Sequence, residues 1–377
     1  MKAALISCFD WYDMRLKHVE KILKDGGYNV VYYTSNFDHR SKKRVCAESN
    51  NIHYIDVPAY KKNISIQRLV SHRIFARLIY KEIMKEKPNI IYCLIPPNSL
   101  ASLMARYKKL NKCALLLDII DLWPESLPTK NMLLSRVYSL WKHLRDNKLQ
   151  CADYIITECN LYQEILKLHV RNIKCKTIYL AKECIPLLNM PDLSMDVIQL
   201  CYLGSINNII DIRKIVSLIS EITRYKPVIL HIIGDGEKKD ELINEVRNVG
   251  ARVEFYGMIF DIYKKQEIFS KCHFGLNIMK DTVCVGLTTK SIDYLQAGLP
   301  IINNIKYDTE NIVKQYNIGF NITNKNIERI ALIISSISIS EFLNMRDNTI
   351  NVFNSIFSIN NLNKGLLEVF RELQILQ

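Results

Sequence analysis

The chain has 377 residues, of which 49% are hydrophobic and 24% are charged. These values are typical of a globular protein with two domains and exclude a disordered chain, and no apolar run reaches the roughly 18 residues of a membrane-spanning helix. The net charge of +13 is uneven, because residues 1–180 hold 30 Lys and Arg against 16 Asp and Glu, whereas residues 181–377 hold 21 against 22. The first part therefore carries +14 and the second −1, which indicates different tasks.

The N-terminus is a strand-length apolar run without the pattern of a cleavable signal peptide. The eleven cysteines form no Cys-x-x-Cys pair and no metal-ligand spacing, and most, such as Cys93, Cys113 and Cys201, lie in apolar runs. This usage predicts small core residues, no metal site and a reducing cytoplasm.

Residues 1–180 alternate between short apolar runs and longer amphipathic stretches. This alternation predicts a parallel sheet covered by helices on both faces, with ligands at the carboxyl ends of the strands. The predicted strands are Ala3–Ser7, Asn29–Thr34, Ile52–Val57, Asn89–Ile95, Ala114–Ile120, Tyr154–Thr157 and Thr177–Leu180. The predicted helices include Arg15–Lys24, Arg68–Lys85, Ser99–Leu110 and Leu133–Cys151.

The loop after the first predicted strand is aromatic and acidic, with Asp10, Trp11 and Tyr12 as candidate ligand-binding residues. Its aromatic side chains can stack on a sugar ring or line a lipid groove. The alternative is that they anchor the core.

A second loop follows a predicted strand that ends with two carboxylates, Asp118 and Asp121. Glu125 follows one turn later. A carboxylate facing a cleft can orient or deprotonate a hydroxyl nucleophile, so we predict Asp121 as the catalytic group and Glu125 as the second choice. The alternative is a helix N-cap at Asp121 with Glu125 in the first helical turn.

Basic residues crowd the stretch from Lys61 to Lys112, and Arg73, Arg77 and Lys81 recur on one helical face. Such a face is commonly a solvated surface, but it can also bind anionic lipid or nucleic acid. No helix-turn-helix, RNP, KH or zinc-finger pattern supports nucleic-acid binding.

Residues 181–196 lack periodicity and are predicted to be a linker. Beyond it, nine of the twelve glycines lie between Gly204 and Gly319. Glycine permits close approach of the backbone to phosphates. The predicted strand Ile198–Leu203 ends at Gly204 and Ser205, whose amides can contact a phosphate at a strand–helix turn.

A short predicted helix follows Thr288 and Thr289, which are possible N-caps, and is stopped by Gly298 and Pro300. Its N-terminus, the Lys290 ammonium and the Asp293 carboxylate form a candidate site for a nucleotide diphosphate and its ribose. Gly286 and Leu287 can add backbone amides. The alternative is a surface ion pair between Lys290 and Asp293.

The pattern Lys290-x-x-Asp293-Tyr294-Leu295-x-Ala297-Gly298-x-Pro300-Ile301-Ile302 resembles the donor-site helix of bacterial GT-B glycosyltransferases of the family 4 kind. Asp-Leu-Trp-Pro-Glu-Ser, at 121–126, resembles a signature of surface-polysaccharide glycosyltransferases of the same broad family. The resemblance implies an α/β GT-B fold, with two doubly wound, Rossmann-like domains facing across a cleft.

The resemblance also implies roles for single residues. The loop with Asp10, Trp11 and Tyr12 would bind the acceptor. The acid at Asp293 would hold the ribose, and backbone at Tyr256 and Gly257 would lie beside the base. A glutamate that usually contacts the transferred sugar is replaced by Val285, with only Asp281 nearby. The implied domains are 1–180 for the acceptor, 197–355 for the nucleotide sugar, and a C-terminal helix in 356–377 that returns to the first domain.

We therefore predict a cytoplasmic, peripheral-membrane glycosyltransferase, which transfers a hexose from a nucleotide-diphosphate sugar to a lipid-linked saccharide acceptor. By family analogy it would retain the anomeric configuration, and it would need no cofactor or metal because Lys290 and helix N-termini can neutralise the diphosphate. The alternatives are a nucleotide-sugar 2-epimerase of the same fold and a non-catalytic GT-B partner subunit. Nucleic-acid binding is suggested only by charge.

Overall fold

The computed structural model describes residues 1–9, 13–39, 41–45, 51–62, 65–127, 135–187 and 194–376. They form two compact units, Met1–Leu180 with Leu362–Gln377, and Ala181–Asn361. Each unit contains one parallel sheet with helices, which confirms the prediction of two doubly wound α/β domains. The candidate acceptor residues Asp10, Trp11 and Tyr12 lie outside the described residues.

The first unit contains a seven-stranded sheet. Its strands are β1 (Lys2–Ile6), β2 (Asn29–Ser35), β3 (Ile52–Ile55), β4 (Ile90–Ile95), β5 (Ala114–Ile119), β6 (Tyr154–Thr157) and β7 (Lys174–Thr177). Its first five helices are α1 (Asp13–Asp25), α2 (Ile66–Glu86), α3 (Asn98–Leu110), α4 (Ser135–Leu149) and α5 (Asn160–Val170). The strand order β3-β2-β1-β4-β5-β6-β7 reverses direction at β1, and ligands of such sheets bind outside the carboxyl ends at the reversal.

The last strand of this sheet differs from its prediction. The apolar run Thr177–Leu180 was expected to be the strand, but β7 begins three residues earlier and ends at Thr177. As an edge strand, β7 has one neighbour and is only half-buried, so its residues include Lys174 and Lys176. The strand β7 therefore cannot be identified in the sequence from hydrophobicity.

A buried ion pair crosses the first unit. Arg15, on α1, donates to both carboxylate oxygens of Asp118, on β5, at 2.6 and 3.0 Å, and Tyr92 also donates to Asp118. Asp118 is fully buried. Removal of either charge would leave the other unpaired in the core, so this strand-end carboxylate has a structural role.

The second unit contains a six-stranded parallel sheet of order β10-β9-β8-β11-β12-β13. Its strands are β8 (Ile198–Leu203), β9 (Val228–Ile233), β10 (Arg252–Gly257), β11 (Phe274–Asn277), β12 (Ile301–Asn303) and β13 (Gly319–Asn321). The remaining helices are α6 (Ile212–Thr223), α7 (Lys239–Asn248), α8 (Ile262–Phe269), α9 (Thr289–Gln296), α10 (Asp308–Tyr316), α11 (Ile327–Ser336), α12 (Ile339–Val352) and α13 (Ile359–Glu372).

Most of α13 belongs to the first unit. Its Gly365 lies against Ile178, and the Tyr154 hydroxyl donates to Glu372 at 3.2 Å. None of the helices in the described ranges combines the length and apolar character that a membrane span requires.

Tyr294 joins α9 to the sheet of the second unit. Its buried hydroxyl accepts from the Leu203 amide at 2.7 Å and donates to the Cys201 carbonyl at 3.1 Å. A Cβ at Gly275, on β11, would lie 2.6 Å from the Tyr294 ring, so the strand needs glycine there. Tyr294 therefore sets the distance between the helix and the strands.

We expect Tyr294→Phe to lower the melting temperature, because the buried Leu203 amide loses its acceptor. An unsatisfied buried donor costs about 1–2 kcal/mol, which is roughly 2–8 °C for a unit of this size. Differential scanning fluorimetry measures the change, and Tyr225→Phe, at a tyrosine that is 49% exposed, is the control. Equal melting of both variants would show that the hydroxyl does not stabilise the fold.

Candidate functional site

Two loops at the carboxyl edge of the second sheet pack directly on each other. The Gly204 amide, after β8, donates to the Ile233 carbonyl at the end of β9 at 2.9 Å. A Cβ at Gly234 would lie 2.0 Å from the Gly204 carbonyl oxygen, and the Gly234 φ is +148°. The glycine after β9 thus allows the close approach that holds the Gly204–Ser205 turn in place.

Tyr202 connects that turn to the helix α9. Its hydroxyl donates to the Ser205 carbonyl at 2.9 Å, and the Lys290 Nζ lies 4.7 Å from the centre of its ring. The structure therefore brings together Gly204, Ser205 and Lys290, which are far apart in sequence. A cation over an aromatic ring is attracted by the ring quadrupole.

The N-terminus of α9 is capped by Thr288, whose Oγ1 accepts from the Ser291 amide at 3.3 Å. Thr289 is the first helical residue and is exposed. Gly286 is fixed by Thr309, which donates to its carbonyl from both the amide and the hydroxyl, and Leu287 is buried. These hydrogen bonds hold the backbone before the helix in place. The first amides of α9 can therefore donate hydrogen bonds to a bound anion.

Lys290 is the main electrostatic feature of this edge. The side chain lies mostly among protein atoms, and this desolvation lowers the pKa of Lys290 to about 7. No carboxylate among the residues that the structure describes forms an ion pair with it. A largely desolvated lysine without a counter-ion beside a helix N-terminus is suited to bind an anion.

Asp293 is paired, but not with Lys290. Its Oδ1 accepts from Lys182 at 2.6 Å and from Lys265 at 2.9 Å. The alternative of a surface Lys290–Asp293 ion pair is therefore wrong. Asp293 is only 8% exposed, and its second oxygen, Oδ2, has no hydrogen bond within the described residues. That oxygen can accept a hydrogen bond from a ligand hydroxyl.

Tyr256 and Gly257 end β10, and the Gly257 carbonyl and the Tyr256 hydroxyl have hydrogen-bond partners in different parts of the unit. The Gly257 carbonyl accepts from the Gly234 amide at 2.7 Å, at the same edge as the other loops. The Tyr256 hydroxyl instead lies 2.9 Å from His231 Nδ1, and the two rings stack. Burial lowers the pKa of His231 to about 4, so this histidine is neutral near pH 7. The Tyr256 side chain therefore belongs to a polar cluster on the sheet.

Val285 stands where the resemblance implies a sugar-contacting glutamate, and Asp281 is the nearby acid. The Asp281 carboxylate lies 3.4 Å from the Lys214 Nζ, and its side chain is 60% exposed. Asp281 is thus paired at the surface of the loop after β11. The structure gives it no hydrogen bond to α9.

In the first unit, Asp121 follows β5 and is held by its own loop. Its carboxylate accepts from the Ser126 hydroxyl at 2.5 Å and from the Trp123 indole nitrogen. Burial raises the pKa of Asp121, although these hydrogen bonds oppose the shift. Residues 121–127 form turns, not a helix, so the alternative of a helix N-cap at Asp121 is wrong.

Trp123 anchors this loop. The Arg68 guanidinium carbon lies 4.1 Å from the centre of its ring, and His72 stacks on it at 5.7 Å. Phe9, which precedes the residues predicted to bind an acceptor, is buried and contacts the same indole. A desolvated arginine and several aromatic rings therefore surround the Asp121 loop.

Glu125 is the weaker candidate for a base. Its carboxylate accepts from Arg145 at 2.9 and 3.2 Å and lies 3.0 Å from the Lys142 Nζ. Burial raises the pKa of Glu125, but the hydrogen bonds and positive charges of these partners outweigh it and hold the pKa below its ordinary value. A carboxylate stabilised in this way is a poor proton acceptor.

Glu158 is a further carboxyl group at this edge, and it was not predicted from the sequence. It follows β6, and its amide donates to the Ile119 carbonyl of the neighbouring strand at 3.0 Å. Burial and the negative charge of Asp121 raise the pKa of Glu158 well above its ordinary value, although Arg15 opposes the shift. Its position directly after a predicted strand was the available signal.

Lys182 and Lys265 were also missed. They contact Asp293 from sequence distances of 111 and 28 residues, respectively. Neither has a local motif, so only the fold reveals them.

No protein-family model and no curated protein sequence matches the chain. The chain resembles solved structures over nearly its whole length. Sucrose-phosphate synthase from Thermosynechococcus elongatus matches with a TM-score of 0.72 at 14% identity, covering 100% of this chain and 99% of that one. Anabaena HepE in complex with UDP and glucose matches at 0.66 and 12%, covering 98% and 99%.

The lipopolysaccharide outer core galactosyltransferase WaaB, in its apo form, matches with a TM-score of 0.67 at 15% identity, covering 99% of this chain and 100% of that one. At such identities the likeness concerns the fold. It agrees with the two parallel sheets described above and with the resemblance found in the sequence. The chain therefore has the GT-B fold.

Proposed function

We propose that this protein is a glycosyltransferase that moves a hexose from a nucleotide-diphosphate sugar to a lipid-linked saccharide acceptor in surface-polysaccharide synthesis. The observation that carries the proposal is the Lys290 ammonium beside the N-terminus of α9, which forms no ion pair with any residue of the described ranges. Lys182 and Lys265 pair with Asp293, whereas Lys290 forms no ion pair within the described residues. The Lys290 charge and the first amides of α9 can neutralise a diphosphate without a metal ion.

The donor half of the proposal assigns three roles. Lys290 and the first amides of α9 bind the diphosphate, and the Gly204–Ser205 turn lies on the same edge. Asp293 accepts a hydrogen bond from the ribose through Oδ2, while Lys182 and Lys265 hold Oδ1. The backbone after Gly257 lies beside the base. HepE has been solved with UDP and with UDP-glucose, and this supports UDP as the probe.

The acceptor half rests on Asp121, which we propose as the group that orients or deprotonates the acceptor hydroxyl. Transfer forms a bond from the acceptor oxygen to the anomeric carbon, breaks the bond from that carbon to the diphosphate, and releases the nucleoside diphosphate. We propose retention of configuration by analogy with the family. NMR spectroscopy of the product determines the anomeric configuration.

The test combines binding and turnover. Isothermal calorimetry with UDP, followed by a thermal-shift screen of nucleotide sugars, should show binding by the folded protein. Turnover of the bound sugar nucleotide, with and without added acceptor, distinguishes the outcomes. Transfer or slow hydrolysis supports the proposal, an epimerised sugar nucleotide indicates an epimerase, and binding without turnover indicates a partner subunit. A folded protein that binds no nucleotide would overturn the proposal.

We also propose that the first unit attaches to anionic membranes. Arg73, Arg77 and Lys81 are exposed along one face of α2, and no ion pair within the described residues involves them. The same face begins with Ile66 and Val70, which are 80% and 47% exposed. A basic face with apolar residues at one end is suited to the interface of an anionic bilayer.

We expect the triple variant Arg73→Glu, Arg77→Glu, Lys81→Glu to lose binding to anionic vesicles, because each basic residue contributes about 1 kcal/mol near the surface. Vesicle cosedimentation at low and high salt measures the loss, and high salt should release the wild-type protein. The control reverses Arg247, Lys271 and Lys314, three exposed residues of the second unit, and should bind normally. Equal wild-type binding to neutral and anionic vesicles would contradict the proposal.

A further inference from the structure

Three asparagines stand side by side in the second sheet. Asn277 ends β11, Asn303 ends β12 and Asn321 ends β13, and the parallel register pairs Asn277 with Asn303 and Asn303 with Asn321. Asn277 and Asn303 are fully buried. Buried amides at the ends of otherwise apolar strands require hydrogen-bond partners.

Their side chains form a continuous row of hydrogen bonds, which we call the asparagine ladder. The Asn303 Nδ2 donates to Asn321 Oδ1 at 2.8 Å, and the Asn277 Nδ2 donates to Asn303 Oδ1 at 2.9 Å. At the other end of the row from Asn321, the Thr288 hydroxyl donates to Asn277 Oδ1 at 2.7 Å. The bonds all run in one direction and therefore reinforce one another.

The ladder ends at the cap of the candidate nucleotide site. Thr288 Oγ1 must present a lone pair to the Ser291 amide, and its hydrogen can then go to Asn277. Donation to Asn277 therefore fixes the hydroxyl rotation that the N-cap requires. The first turn of α9, which carries Lys290, is oriented by this cap.

The loop between β11 and α9 is held by a neighbouring asparagine. Asn304, next to the ladder, accepts from the Met279 amide at 2.9 Å and donates to the Met279 carbonyl at 2.6 Å. The Asn303 side chain in turn donates to the Ile305 carbonyl at 2.8 Å and accepts from the Ile305 amide at 3.0 Å. The start of the loop and its end at Thr288 are thus both tied to the sheet.

We propose that Asn277, Asn303 and Asn321 are positioning residues of the nucleotide site, which aim the N-terminus of α9 and Lys290 at the diphosphate. The inference rests on the proposed donor function. A helix N-terminus and a lysine bind a diphosphate well only if their donors are held in place before the ligand arrives. The ladder supplies this through a row of hydrogen-bonded amides, of which Asn277 and Asn303 are fully buried.

The test compares Thr288→Val with Thr288→Ser, and adds Asn277→Leu. Valine keeps the shape and removes the hydroxyl, whereas serine keeps the hydroxyl. Calorimetry with UDP and UMP, well below the melting temperature, measures both affinities. We expect Thr288→Val and Asn277→Leu to bind UDP roughly 3- to 10-fold more weakly, with a smaller loss for UMP, and Thr288→Ser to bind within about twofold of the wild type.

The control is Leu242→Ala, which removes a buried core side chain on α7 and should lower the melting temperature without changing UDP affinity. Lower melting temperatures with unchanged UDP affinity in the ladder variants would overturn the inference, because the amides would then be structural only. An equal loss for UDP and UMP would also contradict it. If the folded wild-type protein bound no UDP, the proposed function itself would fail, which is a different result. If Asn277→Leu does not fold, the Thr288 pair decides.

Discussion

Asp121→Asn is expected to lower the turnover of sugar transfer by about 10²- to 10⁴-fold, which is the usual effect of losing a general base. Asparagine has the same shape, and its one carbonyl oxygen can accept from the Trp123 indole while its amide group donates to the Ser126 hydroxyl, so the loop should keep its conformation. The variant cannot accept the proton of an acceptor hydroxyl. Initial rates at saturating donor and acceptor measure the change, and UDP affinity should equal that of the wild type.

The matched control is Glu125→Gln in the same loop. Glu125 is held by Arg145 and Lys142, so its replacement should lower stability and leave turnover within a few-fold. Because burial raises the pKa of Asp121, the wild-type rate should fall as the pH drops towards this raised pKa. Full activity of Asp121→Asn would show that the loop has only a structural role.

Lys290→Met should weaken UDP binding by about tenfold or more. A charge-assisted hydrogen bond contributes about 1.5–3 kcal/mol, and methionine keeps the length of the side chain while removing its charge. Calorimetry measures the dissociation constant. Lys271→Met, at an exposed lysine of the same unit, is the control and should bind UDP normally. Unchanged UDP affinity in Lys290→Met would overturn the site assignment.

The same lysine predicts a pH dependence. A diphosphate binds the protonated form of Lys290, whose pKa is lowered to about 7 by desolvation. UDP affinity should therefore fall as the pH rises above about 7, and the dependence should be smaller in Lys290→Met. The free energy of unfolding depends on pH with the opposite sign. In the unfolded chain the pKa of this lysine is about 10.5, so between pH values of about 7 and 10.5 the unfolded state binds more protons than the folded state. For this group, the free energy of unfolding therefore increases as the pH rises from about 7 towards 10.

The sequence by itself determined most strands of the two sheets, though not the edge strand β7, and it indicated the loops that carry the candidate site. Strands such as Tyr154–Thr157 and Ile198–Leu203 were predicted with the bounds that the structure shows, because buried parallel strands are continuous apolar runs between polar ends. Gly298, with its φ of +66°, ends α9 as its position predicts. These features depend on neighbouring residues and can be recognised from a short stretch.

Only the tertiary structure decided which charges meet. Lys290 and Asp293 are close in sequence, yet Asp293 pairs with Lys182 and Lys265, and Lys290 lies over Tyr202. The asparagine ladder likewise joins strands that are separate in the chain. Hydrophobic periodicity tells which face of an element is buried, but the partner of a polar group depends on strand order and register. Burial then sets the protonation of that group, because desolvation acts through atoms contributed by the whole fold.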